Sequence, residues 1–192
     1  MINLNLVLFG APGAGKGTQA AFLKEKYGLV HISTGDLFRH HLKNGTELGV
    51  LAQSYMDKGA LVPDEVTIQM LQEEIEKNPN AAGFIFHGFP RTIAQAEALD
   101  AFLASKQMNI SATLALDADD EELIKRLVER GKVSGRSDDQ DEGKIRNRFV
   151  EYNQKTAPLI DFYKKQGKYH PINGIGSIEK ITQRLSKVID VL

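Results

Sequence analysis

Short apolar runs recur along the chain, separated by longer stretches in which apolar residues return every three or four positions. The runs are Leu4–Phe9, Leu29–Ile32, Gly83–Phe86, Ala112–Leu116 and, more weakly, Tyr169–Ile172. They have strand length, and their nearly continuous hydrophobicity suits strands covered on both faces. The helical period fits Gln19–Lys26, Asp64–Lys77 just after Pro63, Ala94–Lys106, Asp120–Arg130, Gly143–Thr156 and Ile178–Val191, with Ser177 placed to cap the last. Alternation of this kind predicts an α/β fold: a parallel five-stranded sheet in three layers, with helices on both faces. Ligands of such sheets sit beyond the carboxyl ends of the strands.

Two stretches break the alternation. Ser33–Ala82 is far longer than one crossover needs, and its first half reads as two short helices, Asp36–Asn44 and Thr46–Lys58. Gly131–Gln140 is short and polar and lies between two helices. The expectation is a core of residues 1–32, 63–129 and 141–192, a small helical flap at 33–62 and a mobile lid at 130–140. The chain has no internal repeat.

The segment Gly10-Ala-Pro-Gly-Ala-Gly-Lys16-Gly-Thr18-Gln19 joins the first strand to the first helix. Strand, glycine loop and helix in that order turn backbone N–H groups and a positive helix end toward an anion. Lys16 is placed to reach terminal phosphates, so Gly13, Ala14, Gly15, Lys16, Gly17 and Thr18 form a P-loop that binds nucleotide phosphates. The strict pattern sets a hydroxyl residue directly after the lysine; here Gly17 intervenes.

Composition narrows the function. The 192 residues carry 24 Lys+Arg against 25 Asp+Glu, a balance that lacks the basic excess of a nucleic-acid or membrane surface. No apolar stretch approaches the roughly 20 residues a membrane span needs. With no basic leader or apolar signal before the first strand, the expected location is the cytoplasm. The absence of cysteine removes disulfides and thiolate zinc sites, so no zinc is expected.

Arg39, Arg91, Arg130, Arg136 and Arg148 stand at or near segment ends, where a cleft would open. Guanidinium groups match phosphate oxygens and keep their charge when desolvated. Phosphoryl transfer depends mainly on positioning and neutralising spread negative charge, so this set suggests transfer between two phosphorylated molecules. Arg126 and Arg130 share a helix face, whereas Arg146 and Arg148 diverge, so only one of the latter pair points inward. Surface pairing with neighbouring carboxylates remains the other reading of any single arginine. Likewise, Thr34 and Asp36 are placed to cap the helix beginning at Leu37, and Asp139 with Glu142 reads as a capping-box variant that can also orient arginines.

Gly10–Gln19, Ser33-Thr-Gly-Asp-Leu37, Gly88-Phe-Pro-Arg91 followed by Gln95, Gly135-Arg136 with Asp138-Asp139-Gln140, and Glu151-Tyr152 together resemble the adenylate kinases of the short-lid type over essentially the whole chain. The resemblance implies reversible phosphoryl transfer from ATP to AMP giving two ADP, with Mg²⁺ accompanying ATP, and a monomer. It implies that Gly13–Thr18 hold the ATP phosphates, with Lys16 following the transferred group. Arg130 would contact those phosphates, while Arg126 and the Gly176 backbone would border the ATP adenine. Thr34, Arg39, Ala60, Leu61, Val62, Gly88, Phe89, Pro90, Arg91 and Gln95 would form the AMP site. Arg136 and Arg148 would close over the phosphates between the two nucleotides. Lys16, Arg91, Arg130, Arg136 and Arg148 are thus the catalytic candidates.

One position departs from the family pattern. Directly before Gly88-Phe-Pro-Arg91, where relatives usually carry Asp, this chain has His87. A neutral imidazole offers one acceptor and no negative charge, so reduced activity through poorer Mg²⁺ placement is expected. Two alternatives share these motifs: a UMP/CMP kinase, although such relatives typically show Asn where Gln95 stands, and a catalytically impaired nucleotide-binding protein marked by His87. A GTPase-type switch is disfavoured, because the segment after Leu116 reads Asp117-Ala-Asp-Asp120 and lacks a guanine-reading motif.

Overall fold

A computed structural model describes residues 3–192. Five parallel strands, β1 (Leu4–Phe9), β2 (Val30–Ser33), β3 (Gly83–His87), β4 (Ala112–Asp117) and β5 (Tyr169–Asn173), form one sheet in the order β2-β3-β1-β4-β5. The chain runs from central β1 to β2 and β3 on one side, then crosses to β4 and β5 on the other. That reversal leaves a crevice at the carboxyl end of β1, which is where the glycine loop lies.

Nine α-helices accompany the strands among the described residues: α1 (Lys16–Tyr27), α2 (Thr34–Lys43), α3 (Glu47–Met56), α4 (Asp64–Glu76), α5 (Ile93–Ser105), α6 (Asp120–Ser134), α7 (Glu142–Glu151), α8 (Leu159–Lys165) and α9 (Ile178–Ile189). β1 alternates between two apolar layers. Leu6 and Leu8 pack with Leu23 of α1, Leu127 of α6 and Leu185 of α9; Val7 packs with Leu71 of α4 and Leu99 and Leu103 of α5. All of these side chains are buried, and each, fully removed from water, contributes about 1.5–3 kcal/mol of apolar transfer energy. Asn5 is the polar exception in this strand. Its side chain donates to Asn109 O at 2.9 Å and accepts from Phe84 N at 3.1 Å, so its burial costs little.

Several elements differ from the sequence expectation. α6 continues four residues past Arg130, because Gly131 is a point of close approach and not a helix stop. A Cβ there would lie 2.3 Å from Asp139 O; the helix ends instead at Gly135, whose φ of 65° suits glycine. The helix expected over Gly143–Thr156 is α7 followed by a π-helical turn, Tyr152–Thr156, whose Thr156 hydroxyl donates to Arg91 O at 2.8 Å. α8 was not expected at all. Two turns are too short for a period to register, and it is held by burial of Leu159 and Tyr163 beside Phe9. Among the described residues no helix is long and apolar enough to cross a membrane.

Candidate active site

The glycine loop leaves β1 at Phe9 and enters α1 at Lys16. Gly13, at φ 85°, packs so tightly that a Cβ would lie 2.8 Å from Leu123 O, so the loop is clamped against the start of α6. Gly15 in the N-cap position gives α1 no side-chain cap, and its first turn carries no acidic residue. The leading N–H groups are therefore open to an anion. Lys16 donates to Gly10 O at 2.6 Å and Ala11 O at 3.0 Å, which leaves one of its three protons for another acceptor. Burial, reinforced by the charges of Arg91, Arg148, Arg130 and Arg136, holds its pKa well below the ordinary 10.5.

Two pockets adjoin a junction that this loop borders, and the loop itself lines one of them. One is lined by Gly13, Ala14, Gly15, Thr18, Arg126, Arg130 and Gly176. There Arg126 pairs with Glu122 at 2.9 Å and donates to Gly174 O at 3.2 Å, while Arg184 donates to Asn173 O and Ile175 O, both at 2.7 Å, and so braces the loop before Gly176. The other pocket is lined by Thr34, Arg39, Ala60, Leu61, Val62, Gly88, Arg91, Gln95, Arg136 and Arg148. Between them a junction gathers Lys16, Gly17, Arg39, His87, Arg91, Arg130, Arg136 and Arg148. Of the candidate ATP and AMP residues, Phe89 lines none of these pockets and packs in the core; Pro90 borders a further cavity that Lys16 and Arg91 also line.

The arginines are held by two buried aspartates in the turn Ser137–Asp139. Arg130 makes a bidentate pair with Asp139 (2.6 and 3.0 Å), and Arg136 makes one with Asp138 (3.0 and 2.8 Å). Arg148 bridges the two, 2.6 Å from Asp139 Oδ1 and 3.1 Å from Asp138 Oδ2. Burial pushes the Asp138 carboxyl up, but the Arg136 hydrogen bond and the Arg148 and Arg136 charges outweigh it and hold the pKa at about 2. Arg146, two residues from Arg148, faces outward and pairs with Glu142. The junction and its surroundings thus carry six cations, Lys16, Arg39, Arg91, Arg130, Arg136 and Arg148, against the carboxylates of Asp36, Asp138 and Asp139. That surplus suits a polyanion.

Local bonds revise two capping assignments. Ser33 caps α2 by accepting from Asp36 N, whereas the Thr34 hydroxyl donates to Gly88 O at 2.9 Å and Asp36 pairs with Arg39. Asp141 caps α7, freeing Asp139 to act on the arginines. The Ser137 hydroxyl donates to Asp57 at 2.8 Å and the Asn147 amide to Lys58 O, so the segment after α3 touches both the turn and α7.

Sequence reasoning missed two participants. His31 on β2 shares a hydrogen bond with His87, Nε2 to Nδ1 at 3.3 Å, their rings stacked at 5.4 Å. Burial, then the Lys16, His31 and Arg91 charges, push His87 down to about 2, so it is neutral at physiological pH. The register of β2 on β3 sets His31 opposite Ile85 and Ser33 opposite His87, which makes the two histidines diagonal neighbours on one face, but residues 56 positions apart give no sequence signal of it. Asp64, at the start of α4, accepts from Gln95 Nε2 at 2.8 Å and from the Thr92 hydroxyl at 3.1 Å. From sequence it reads only as a carboxylate suited to a helix N-terminus.

A family model described as adenylate kinase matches residues 8–168. Curated adenylate kinases are similar along their entire length: those of Flavobacterium psychrophilum, at 66% identity, Flavobacterium johnsoniae, at 64%, and Bacteroides fragilis, at 51%, each over 98% of this chain and 100% of the relative.

Proposed function

The chain belongs to the adenylate kinase family, an enzyme family whose reaction is the reversible conversion of ATP and AMP into two ADP, and we propose that the two pockets hold these nucleotides end to end across the arginine junction. The observation that carries this reading is the junction itself, a cationic channel joining two separate pockets. ATP phosphates lie along Gly13–Thr18, with Lys16 following the transferred group and the adenine between Arg126 and Gly176. AMP lies opposite, against Thr34, Arg39, Ala60–Val62, Gly88 and Gln95, with Arg91 on its phosphate. An AMP phosphate oxygen attacks the γ-phosphorus in line while Arg130, Arg136 and Arg148 neutralise the charge spread between donor and acceptor. The flap at 33–62 and the lid at 130–140 close over both nucleotides and exclude the water that would otherwise hydrolyse ATP. Both pockets are lined from one chain, which supports a monomer, and the balanced charge supports a protein free of nucleic acid and membrane.

Two adenosines joined through five phosphates should therefore bind at least about a hundredfold more tightly than ATP, since tethering makes the second binding event intramolecular. Calorimetric titration checks this, and equal affinity would count against a two-nucleotide cleft. Comparing AMP, UMP and CMP as acceptors tests the pyrimidine alternative.

Adenylate kinases work with Mg²⁺ carried on ATP. Among the described residues no group of three or more His, Asp or Glu side chains could hold a metal by itself. Asp36 borders the junction; one of its carboxylate oxygens is paired with Arg39, and the other would suit the water shell of a cation that arrives on phosphate. When bound, the ion neutralises phosphate charge. Neutral His87, tied to His31, contributes no negative charge there, which supports slower transfer with nucleotide binding retained. His87→Asp should raise kcat roughly tenfold, about the value of one charge-assisted hydrogen bond, and lower the Mg²⁺ concentration at half-maximal rate. Unchanged turnover and metal dependence would refute a weakening role for His87.

A further inference from the structure

Gln95 is 2% exposed and lines the pocket assigned above to AMP. Both ends of its side-chain amide are already spoken for. Oε1 accepts from the Arg91 backbone N–H at 2.8 Å, and Nε2 donates to Asp64 Oδ1 at 2.8 Å. Both Asp64 oxygens lie 3.1 Å from the Thr92 hydroxyl, and Thr92 in turn caps α5 by accepting from Gln95 N at 3.2 Å. The carboxylate is thus fixed by the same turn that carries the glutamine.

This arrangement sets the polarity of the amide. Rotating it by half a turn would face Gln95 Oε1 against a carboxylate and its NH₂ against the Arg91 N–H, replacing two attractions with two repulsions. One N–H and one lone pair remain for a ligand, in an order that the protein dictates. Adenine presents an amino donor beside a ring-nitrogen acceptor and can match both. Hypoxanthine and guanine present a carbonyl acceptor at the same corner beside an N–H, the opposite order. From this geometry we propose that Asp64 is a specificity-determining positioning residue. By locking the Gln95 amide, it makes the acceptor site select 6-aminopurine monophosphates and reject 6-oxopurine monophosphates such as IMP and GMP. Glutamine alone could read either base by turning over; Asp64 and the Arg91 amide remove that freedom. Buried polar groups left mismatched are what give hydrogen-bonding sites their large discrimination.

The proposal rests on the reading that Gln95 faces the acceptor base, and the test separates the two. kcat and KM are measured with ATP as donor and AMP or IMP as acceptor, for the wild type, Asp64→Ala and Gln95→Ala, with thermal melting recorded for each. The AMP-over-IMP ratio of kcat/KM should fall about tenfold or more in Asp64→Ala, the discrimination of one charge-assisted hydrogen bond. The change should appear mainly in KM, with IMP improving in absolute terms. A general structural defect would weaken AMP and IMP alike and leave the ratio standing, which would overturn the proposal. A ratio unchanged in Asp64→Ala but lowered in Gln95→Ala overturns the lock and keeps the glutamine reading. A ratio unchanged in Gln95→Ala overturns that reading itself. Should Asp64→Ala fail to fold, the near-isosteric Asp64→Asn serves. Its amide can face either group of Gln95, so the ratio falls there too if the lock exists and stays at the wild-type value if it does not.

Discussion

Replacing Lys16 by methionine should lower kcat by about a thousandfold or more, the scale of removing a principal charge from a phosphoryl-transfer site. The same substitution should leave the folded protein as stable as before, or slightly more so. Lys16 is half-buried in a site shared with four arginines, and its pKa is held down first by desolvation and then by their charges, so its ammonium adds little or nothing to the stability of the fold. Two bonds to Gly10 O and Ala11 O offset part of that desolvation, and methionine preserves most of the side-chain volume. Coupled ADP-formation kinetics and thermal melting in the absence of nucleotide check the two halves. A large fall in melting temperature would show that the loop depends on the lysine for its shape. Retained turnover would remove Lys16 from the chemistry.

Asp139→Ala should produce the second large effect, on stability and activity together. The Asp139 side chain is completely buried, whereas its partners Arg130 and Arg148 remain 37% and 16% exposed. Breaking a buried pair by removing one partner costs about 3–5 kcal/mol; because these arginines can turn partly toward water, about 2–3 kcal/mol is expected. Freed of their anchor, the two guanidinium groups also lose their aim, and kcat/KM should fall about a hundredfold, as displacement of positioning groups does. Denaturant unfolding gives the first quantity and steady-state kinetics the second. A loss of stability with full activity would mean that the substrates orient the arginines unaided.

Its neighbour adds a pH signature to the same cluster. The folded pKa of Asp138, about 2, lies below the ordinary 3.8, because the Arg136 bond and the Arg148 and Arg136 charges overcome burial. The stabilisation is therefore complete above pH 4 and disappears as pH falls through 3.8 toward 2. In Asp138→Asn this part of the acid slope should flatten.

The alternation of apolar runs with helical periods was enough to specify a five-stranded parallel sheet with helices on both faces. Strands covered on both sides must be apolar nearly throughout, and that demand is written locally. The glycine loop was equally plain, since its run of glycines and one lysine between strand and helix is written locally, whereas the clamp of Gly13 against Leu123 of α6 was not. α8 and the π-turn at Tyr152–Thr156 were not legible, because both are decided by packing: Tyr163 and Leu159 against Phe9, and Thr156 against the Arg91 carbonyl.

Candidate residues were readable as types before they were readable as partners. The sequence by itself determined a glycine loop after the first strand and several arginines at or near segment ends, and a parallel sheet alternating with helices directs such ends toward its carboxyl edge. Only the tertiary structure decided which carboxylate holds which arginine, that His31 stands beside His87, and that Asp64 pins Gln95. These are contacts between elements far apart in the chain or turned at a loop. Their energies depend on burial and on ångström-scale geometry, which no spacing of residue types encodes.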